Sequence, residues 1–256
     1  MKLYKYYPPK SKEFILLKSG DISFRFSQKE ALNDPFELTP VIEEYPQELI
    51  TAMDKKLDEM EVEPLAKILI HDLILPDIAQ DFCDSSQKLS AHLFGILSFS
   101  RKKDHRSLWA YYGENHTGFM VCIDHKSIEI PKEKGIDFFN ASRFDKVIYT
   151  HKRPKNRSDI FNTFFVKDNS WKHESEYRWI APLKSFPKKD SLDAKKLDIH
   201  TFTLSREKVK GIYLGANASA DTISYIEKWA NSHNPIIKLY QAVPCQSDFK
   251  FNYTPV

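Results

Sequence analysis

The chain has 256 residues, 41% of them hydrophobic and 29% charged, with a formal net charge of +3. That length supports one large core without staples, and the apolar share excludes a disordered, solvating chain. The charge is too mild by itself to mark a nucleic-acid binder.

Seven glycines, with neither G-x-G-x-x-G nor G-x-x-x-x-G-K among them, exclude the common Gly-rich phosphate loops. Cys83, Cys122 and Cys245 are odd in number and far apart, so neither a disulfide framework nor a thiolate zinc site is expected. No signal-peptide run opens the chain, and no stretch approaches the roughly 20 apolar residues that span a bilayer. A cytoplasmic protein without a membrane partner is the expectation.

In chain order, residues 3–6 read as a first strand ended by Pro8 and Pro9, which cannot donate to a sheet ladder. A helix over residues 11–18 stops at Gly20. Ile22, Phe24 and Phe26 then alternate with Ser23 and Arg25, the period of a half-buried strand. The segment Asn33-Asp34-Pro35-Phe36-Glu37 is a turn in which Asn33 or Asp34 would cap, and Asp34 or Glu37 would face a ligand.

From about residue 46 to 93 the period is helical, with Leu49, Ile50, Met53, Leu57 and Met60 opposite Lys55, Lys56, Asp58 and Glu59. Leu65, Ile68, Leu69 and Leu73 repeat it, Pro64 suits a first turn, and Pro76 suits a break before a third helix. This block reads as a helical insertion or lid within a single domain, residues 1–256.

Strands follow at residues 94–100, 118–124, 146–150, 176–182, 196–203, 209–214 and 236–242. A short aromatic helix around residues 108–112 and a longer one at 220–232 lie among them. The irregular order favours an α+β fold with a mixed or antiparallel sheet over a doubly wound parallel one.

Chemistry concentrates in the run Trp171-Lys172-His173-Glu174-Ser175-Glu176-Tyr177-Arg178. If extended, Glu174 and Glu176 would project from one sheet face and repel, and Arg178, on the same alternate set, is the nearest cation to relieve them. A second constellation runs from Ser107 to Phe119. There Trp109, Tyr111 and Tyr112 would stack a planar ring, and His116 would hydrogen-bond a ribose or phosphate, unless they simply fill a core and close a turn. Two basic runs, Arg101 to Arg106 and Lys146 to Arg157, lean towards a nucleic-acid partner, with Arg153 and Arg157 as phosphate contacts.

These stretches also carry a resemblance. Tyr4-Lys5-Tyr6, NDPFE at 33–37, Phe99-Ser100, LWAYYGENHTGF at 108–119, WKHESEYRWI at 171–180, GIYLGANAS at 211–219 and IKLYQA at 237–242 resemble hallmarks of a bacterial family. It is the one catalogued as domain of unknown function 2971, and the likeness covers nearly the whole chain outside the helical block.

The order of signals is more distantly similar to the ADP-ribosyltransferase superfamily, particularly its DNA- and RNA-modifying toxins. That resemblance implies an ADP-ribosyltransferase-like fold, NAD as a substrate and no metal. Glu176 would bond a ribose hydroxyl and steady the oxocarbenium-like centre as nicotinamide leaves, while Glu174 orients or deprotonates the acceptor. Tyr4 or Tyr6 would stand where the superfamily has a first-strand His or Arg, and Ser98 or Ser100 would match its middle-strand Ser. Tyr111 or Tyr112 would stack on nicotinamide, with Asn33, Asp34, Arg153, Arg157 and Arg178 on the substrate side. By analogy the protein would be a toxin or phage-defence effector, with an antitoxin or chaperone as a protein partner.

Two other readings stand beside it. Asp124-x-Lys126 at a strand end, with Asp34 or Asp77 upstream, is the pattern of a Mg²⁺-dependent nuclease. Alternatively, aromatics and basic runs would make a non-enzymatic nucleic-acid-binding or sensor module.

Overall fold

The structure is a computed structural model, and it describes residues 1–38, 47–70, 92–128, 142–153 and 160–256. It is an α+β fold whose main sheet has eight strands in the order β13-β12-β11-β4-β1-β3-β8-β5. In chain order these are β1 (Lys2–Tyr7), β3 (Phe94–Ser100), β4 (Phe119–Asp124), β5 (Arg143–Lys146), β8 (Glu176–Pro182), β11 (Val209–Leu214), β12 (Leu239–Pro244) and β13 (Phe251–Pro255). Only β11 and β12 run parallel within it, so the sheet is mixed but mostly antiparallel.

A smaller sheet pairs β2 (Ile22–Phe26), β10 (Asp198–Leu204) and β9 (Lys188–Leu192), and β6 (Ile148–Thr150) pairs in parallel with β7 (Val166–Asp168). The helices are α1 (Lys12–Ile15), α2 (Gln47–Glu59), α3 (Pro64–Leu69), α4 (Arg106–Tyr111), α5 (Ile160–Phe164) and α6 (Ala220–Asn231). Among the described residues no helix is long and apolar enough to cross a membrane.

Alternation along each strand gives the main sheet two unlike faces. Leu3, Leu97, Phe99, Val121, Trp179 and Ile212 join Phe24 and Phe26 of β2 and Ile226 and Trp229 of α6 in the principal core. The opposite face carries two separate apolar patches. One holds Tyr4, Tyr6, Met120, Cys122 and Tyr213 beneath Leu108 and Trp109, and the other holds Ile96 and Ile180 with Phe164 and Phe165. Between the patches lie Ser98 opposite Arg178 and Ser100 opposite Glu176, in the register of β3 with β8. The polar site therefore sits in a gap between two hydrophobic supports.

Several expectations need correction. Residues 146–150 do not form one strand: at buried Val147 the chain leaves β8 and turns to pair with β7. The helix at 11–18 shrinks to a 3-10 turn at Pro9–Ser11 and the four residues of α1, because Leu16 is taken into a bridge with Ile22. Helices α2 and α3 fall in the expected helical block, whereas Leu73 and the third helix after Pro76 lie outside the described residues.

Candidate functional site

The turn at residues 33–37 builds one wall. Asp34 accepts from the Phe36 amide at 2.9 Å and from Trp171 Nε1 at 2.8 Å, so one carboxylate folds the turn and ties it to the segment before β8. This rotates Glu37 inward, where it is buried. A 3-10 helix, Asn169–Glu174, is capped by Asp168, and it ends at Ser175, whose φ of 47° is left-handed. Glu174 is therefore not extended with Glu176 on one strand, as the alternate spacing predicts; the reversal at Ser175 delivers it to the site from the helix end.

Five buried charges meet here: Glu37, Lys167, Glu174, Glu176 and Arg178. The ammonium of Lys167 donates to Glu174 Oε2 at 2.6 Å and to Glu176 Oε2 at 3.2 Å, and it lies within ion-pair distance of Glu37 Oε1 at 3.2 Å. Arg178 donates through Nε to Glu176 Oε1 at 2.8 Å, through Nη1 to the Phe164 carbonyl at 2.7 Å, and through Nη2 to Glu37 and to Glu176. The Arg178–Glu176 pairing follows the i, i+2 expectation.

The remaining polar atoms are also met. Tyr112 donates to Glu174 Oε1 at 2.8 Å, the Glu176 amide donates to Tyr149 at 2.8 Å, and the Ser98 side chain hydrogen-bonds the Glu176 carboxylate. Ser100 Oγ donates to the Glu174 carbonyl at 2.6 Å and accepts from the Lys102 amide at 2.9 Å.

The electrostatics follow from this wiring. Burial pushes the Glu176 carboxyl up, but Arg178 and then Lys167 outweigh it and hold the group at about 2. Burial likewise opposes the charges of Lys167 and Arg178, and the surrounding carboxylates raise both well above their ordinary values. Lys5 is the exception. Its ammonium donates to the Ser98 carbonyl at 2.9 Å, and burial draws it down to about 8 against the pull of Glu176. Three carboxylates facing Lys167 and Arg178 leave one formal negative charge, which Lys5 offsets only while protonated.

Strands β1 and β3 share one register pair, Tyr4 with Ser100, and beside that narrow contact an inner cavity of about 280 Å³ opens. Its lining brings together Tyr4, Tyr6, Asn33, Glu37, Ser98, Ser100, Tyr112, Glu174, Glu176 and Arg178 from the expected set, and adds Lys5 and Lys167. An outer cavity of about 550 Å³ adjoins it through the shared residues Asn33 and Lys167. Asp34 and Arg153 line the outer cavity.

Other expected residues are placed elsewhere. Leu108 of α4 and Tyr112, the residue that caps its C-terminal end, share the face towards the inner cavity, and the neighbouring positions turn away. Trp109 is fully buried, its ring 5.0 Å from Tyr6 and its Nε1 donating to Tyr253, so it is core rather than a stacking platform. Tyr111 points outward at 65% exposure. His116 lies in a left-handed turn between the Trp109 and Phe251 rings, outside the lining of the inner cavity. Arg157 and Asp77 lie outside the described residues. Asp124, of the nuclease pattern, caps the Lys126 amide at 3.1 Å and pairs with His125.

Fold and site together define an α+β protein with a saturated ionic cluster beneath two adjoining cavities. No family model matches the chain, and no curated protein and no solved structure matches it.

Proposed function

We propose that the inner cavity holds the nicotinamide-ribose half of NAD and that the protein transfers ADP-ribose to a nucleophilic acceptor, in an ADP-ribosyltransferase-like fold. One observation carries this reading. Glu176 lies on the same sheet face as Tyr4 and Tyr6, buried beneath a cavity that these tyrosines and Tyr112 also line. A buried carboxylate beside aromatic rings is suited to steady a sugar cation. The resemblance of the Glu174-Ser175-Glu176 run to the superfamily's paired glutamates supports it as well.

In the step proposed, the bond from ribose C1′ to the nicotinamide nitrogen breaks, and its electron pair leaves with nicotinamide, which departs neutral. An acceptor lone pair forms the new bond at C1′, and the proton that the acceptor loses passes to solvent water. Held at about 2, Glu176 stays ionised throughout and acts as a fixed negative pole rather than as a base. Arg178 and Lys167 fix its position and weaken its field, so the developing cation must approach the carboxylate from the cavity side. Glu174, tied to Tyr112 and Lys167, orients the acceptor. An intracellular effector acting on nucleic acid is the setting this chemistry suits.

The test is nicotinamide release and transfer of label from NAD carrying a labelled adenylate, with single-stranded oligonucleotides and protein as acceptors. Glu176→Gln should lower release at least 100-fold, on the order of the loss of one preorganised electrostatic group, in protein that still unfolds cooperatively although at a lower temperature. Absence of release by the wild-type protein, or full release by the variant, would end the proposal.

A further inference from the structure

The outer cavity differs from the inner one in that part of its charge is not paired within its own wall. Lys152 and Arg153 are exposed on its wall, and among the described residues neither stands within ion-pair distance of a carboxylate. The acidic groups on the same wall are already engaged: Asp34 holds Trp171 and the Phe36 amide, and Asp168 caps the Ser170 amide at 2.9 Å. Positive charge is thus left facing the cavity.

Two arenes, each with a cation over its ring, also line this cavity. Phe36 is 61% exposed, with the Arg153 guanidinium 5.0 Å from its ring centre, and the Lys167 ammonium lies 4.8 Å from the Trp171 ring centre. A ring with a cation on it, beside cations with no acidic partner among the described residues, suits a ligand that is planar at one end and anionic at the other.

We infer that the outer cavity is a nucleoside-phosphate site, in which the base packs on Phe36 and Trp171, the phosphate meets Lys152 and Arg153, and Asn33 faces the sugar at the passage to the inner cavity. The site goes beyond the proposed transfer and does not depend on it, since it stands on residues of the outer cavity alone. A base with its phosphate can come from a free nucleotide or from a single strand, and the arms of the test separate these sources.

The experiment uses the full chain carrying Glu176→Gln, without NAD, so that loss of the transfer reading leaves it intact. Fluorescence anisotropy follows a labelled single-stranded hexa-deoxyadenylate, with AMP and ribose 5-phosphate as competitors. The expected result is salt-dependent binding that Lys152→Glu with Arg153→Glu weakens at least 30-fold. That pair should also flatten the salt slope by about 1.4, two phosphate contacts at roughly 0.7 each for single strands. Trp171→Leu and Phe36→Ala should each weaken binding by about 5- to 100-fold, the range for one lost base stack. Lys10→Glu, on exposed surface outside the cavity, should change neither measure.

Displacement of the strand by AMP assigns the site to free nucleotides as well. Displacement by excess unlabelled strand alone assigns it to nucleic acid. Failure of the strand and of AMP to bind, indifference to the Lys152 and Arg153 changes in folded protein, or ribose 5-phosphate competing as well as AMP would each overturn the inference.

Discussion

Lys5 is the cation of the site with the weakest claim to its charge. Its ammonium has the Ser98 carbonyl at 2.9 Å and ring contacts to Tyr7 and Phe99 at 5.9 Å, and burial lowers it to about 8 from 10.5. Between those values the unfolded chain binds the proton more tightly, so stability rises with pH across that window and the full penalty applies below it. The penalty is on the order of 3 kcal/mol. Lys5→Met should therefore melt higher than the wild type at pH 7, and the gain should fade as the pH rises through about 8 to 10.5. Chemical denaturation at pH 6, 8 and 10.5 reads this directly; a variant less stable at pH 7 would show that the charge is favourable where it lies. The sequence shows Lys5 as the lone first-strand cation, and it places Arg178 beside Glu176 by alternation. Lys167 could not be found that way. It sits between Val166 and Asp168 in a three-residue strand, and only the tertiary fold brings it to three carboxylates more than five positions away or across the chain.

At the scale of elements, legibility followed burial. Strands β3, β8 and β11 match their expected ranges because each buries a face and shows it as apolar alternation or an apolar run. The sequence reading missed β9 and β13, which are edge strands with the sequences KKDSL and FNYTP; lysines and proline there discourage further pairing and also erase the period. One buried side chain joins elements on the face away from the site. Arg206 donates to the Pro235 carbonyl at 2.7 Å, to the Gly20 carbonyl at 3.3 Å and to the Ala230 carbonyl near the end of α6, with its guanidinium 4.7 Å from the Trp229 ring centre. Removing it leaves carbonyls without a donor, at about 1–3 kcal/mol for each that stays buried. Arg206→Met should thus lose about 3 kcal/mol or more in urea unfolding. Arg206→Lys should recover less than half, because an ammonium cannot reproduce the planar fork. Equal stability of the lysine variant and the wild type would mean that charge, not shape, makes the joint.

For the molecule as a whole, the α+β class could be read from the irregular order of elements, but the sheet order could not, since register and crossovers depend on contacts far apart in sequence. The completed sheet commits one face to the principal core and leaves the other divided by five buried charges. Burying charge costs several kcal/mol per ion, and partners at close range return little more than that cost, so such a cluster adds little net stability while any single deletion exposes the whole debt. Lys167→Met alone leaves Glu174 without a cation, and Glu37 and Glu176 with Arg178 alone, and should cost about 3–5 kcal/mol. The combined variant Glu37→Leu, Lys167→Met, Glu174→Gln, Glu176→Leu and Arg178→Met keeps an acceptor for Tyr112 and removes the five charges of the cluster together. Its unfolding free energy should lie within about 2 kcal/mol of the wild type, far from the sum of the single losses, because residues in one ionic network do not add. Urea denaturation of the single and combined variants decides between two architectures. If the combined variant falls by the sum of the parts, the charges hold the two halves of that face together. If it stands, the hydrophobic patches on either side carry the fold, and the charges between them are free to be shaped by whatever enters the cavities above.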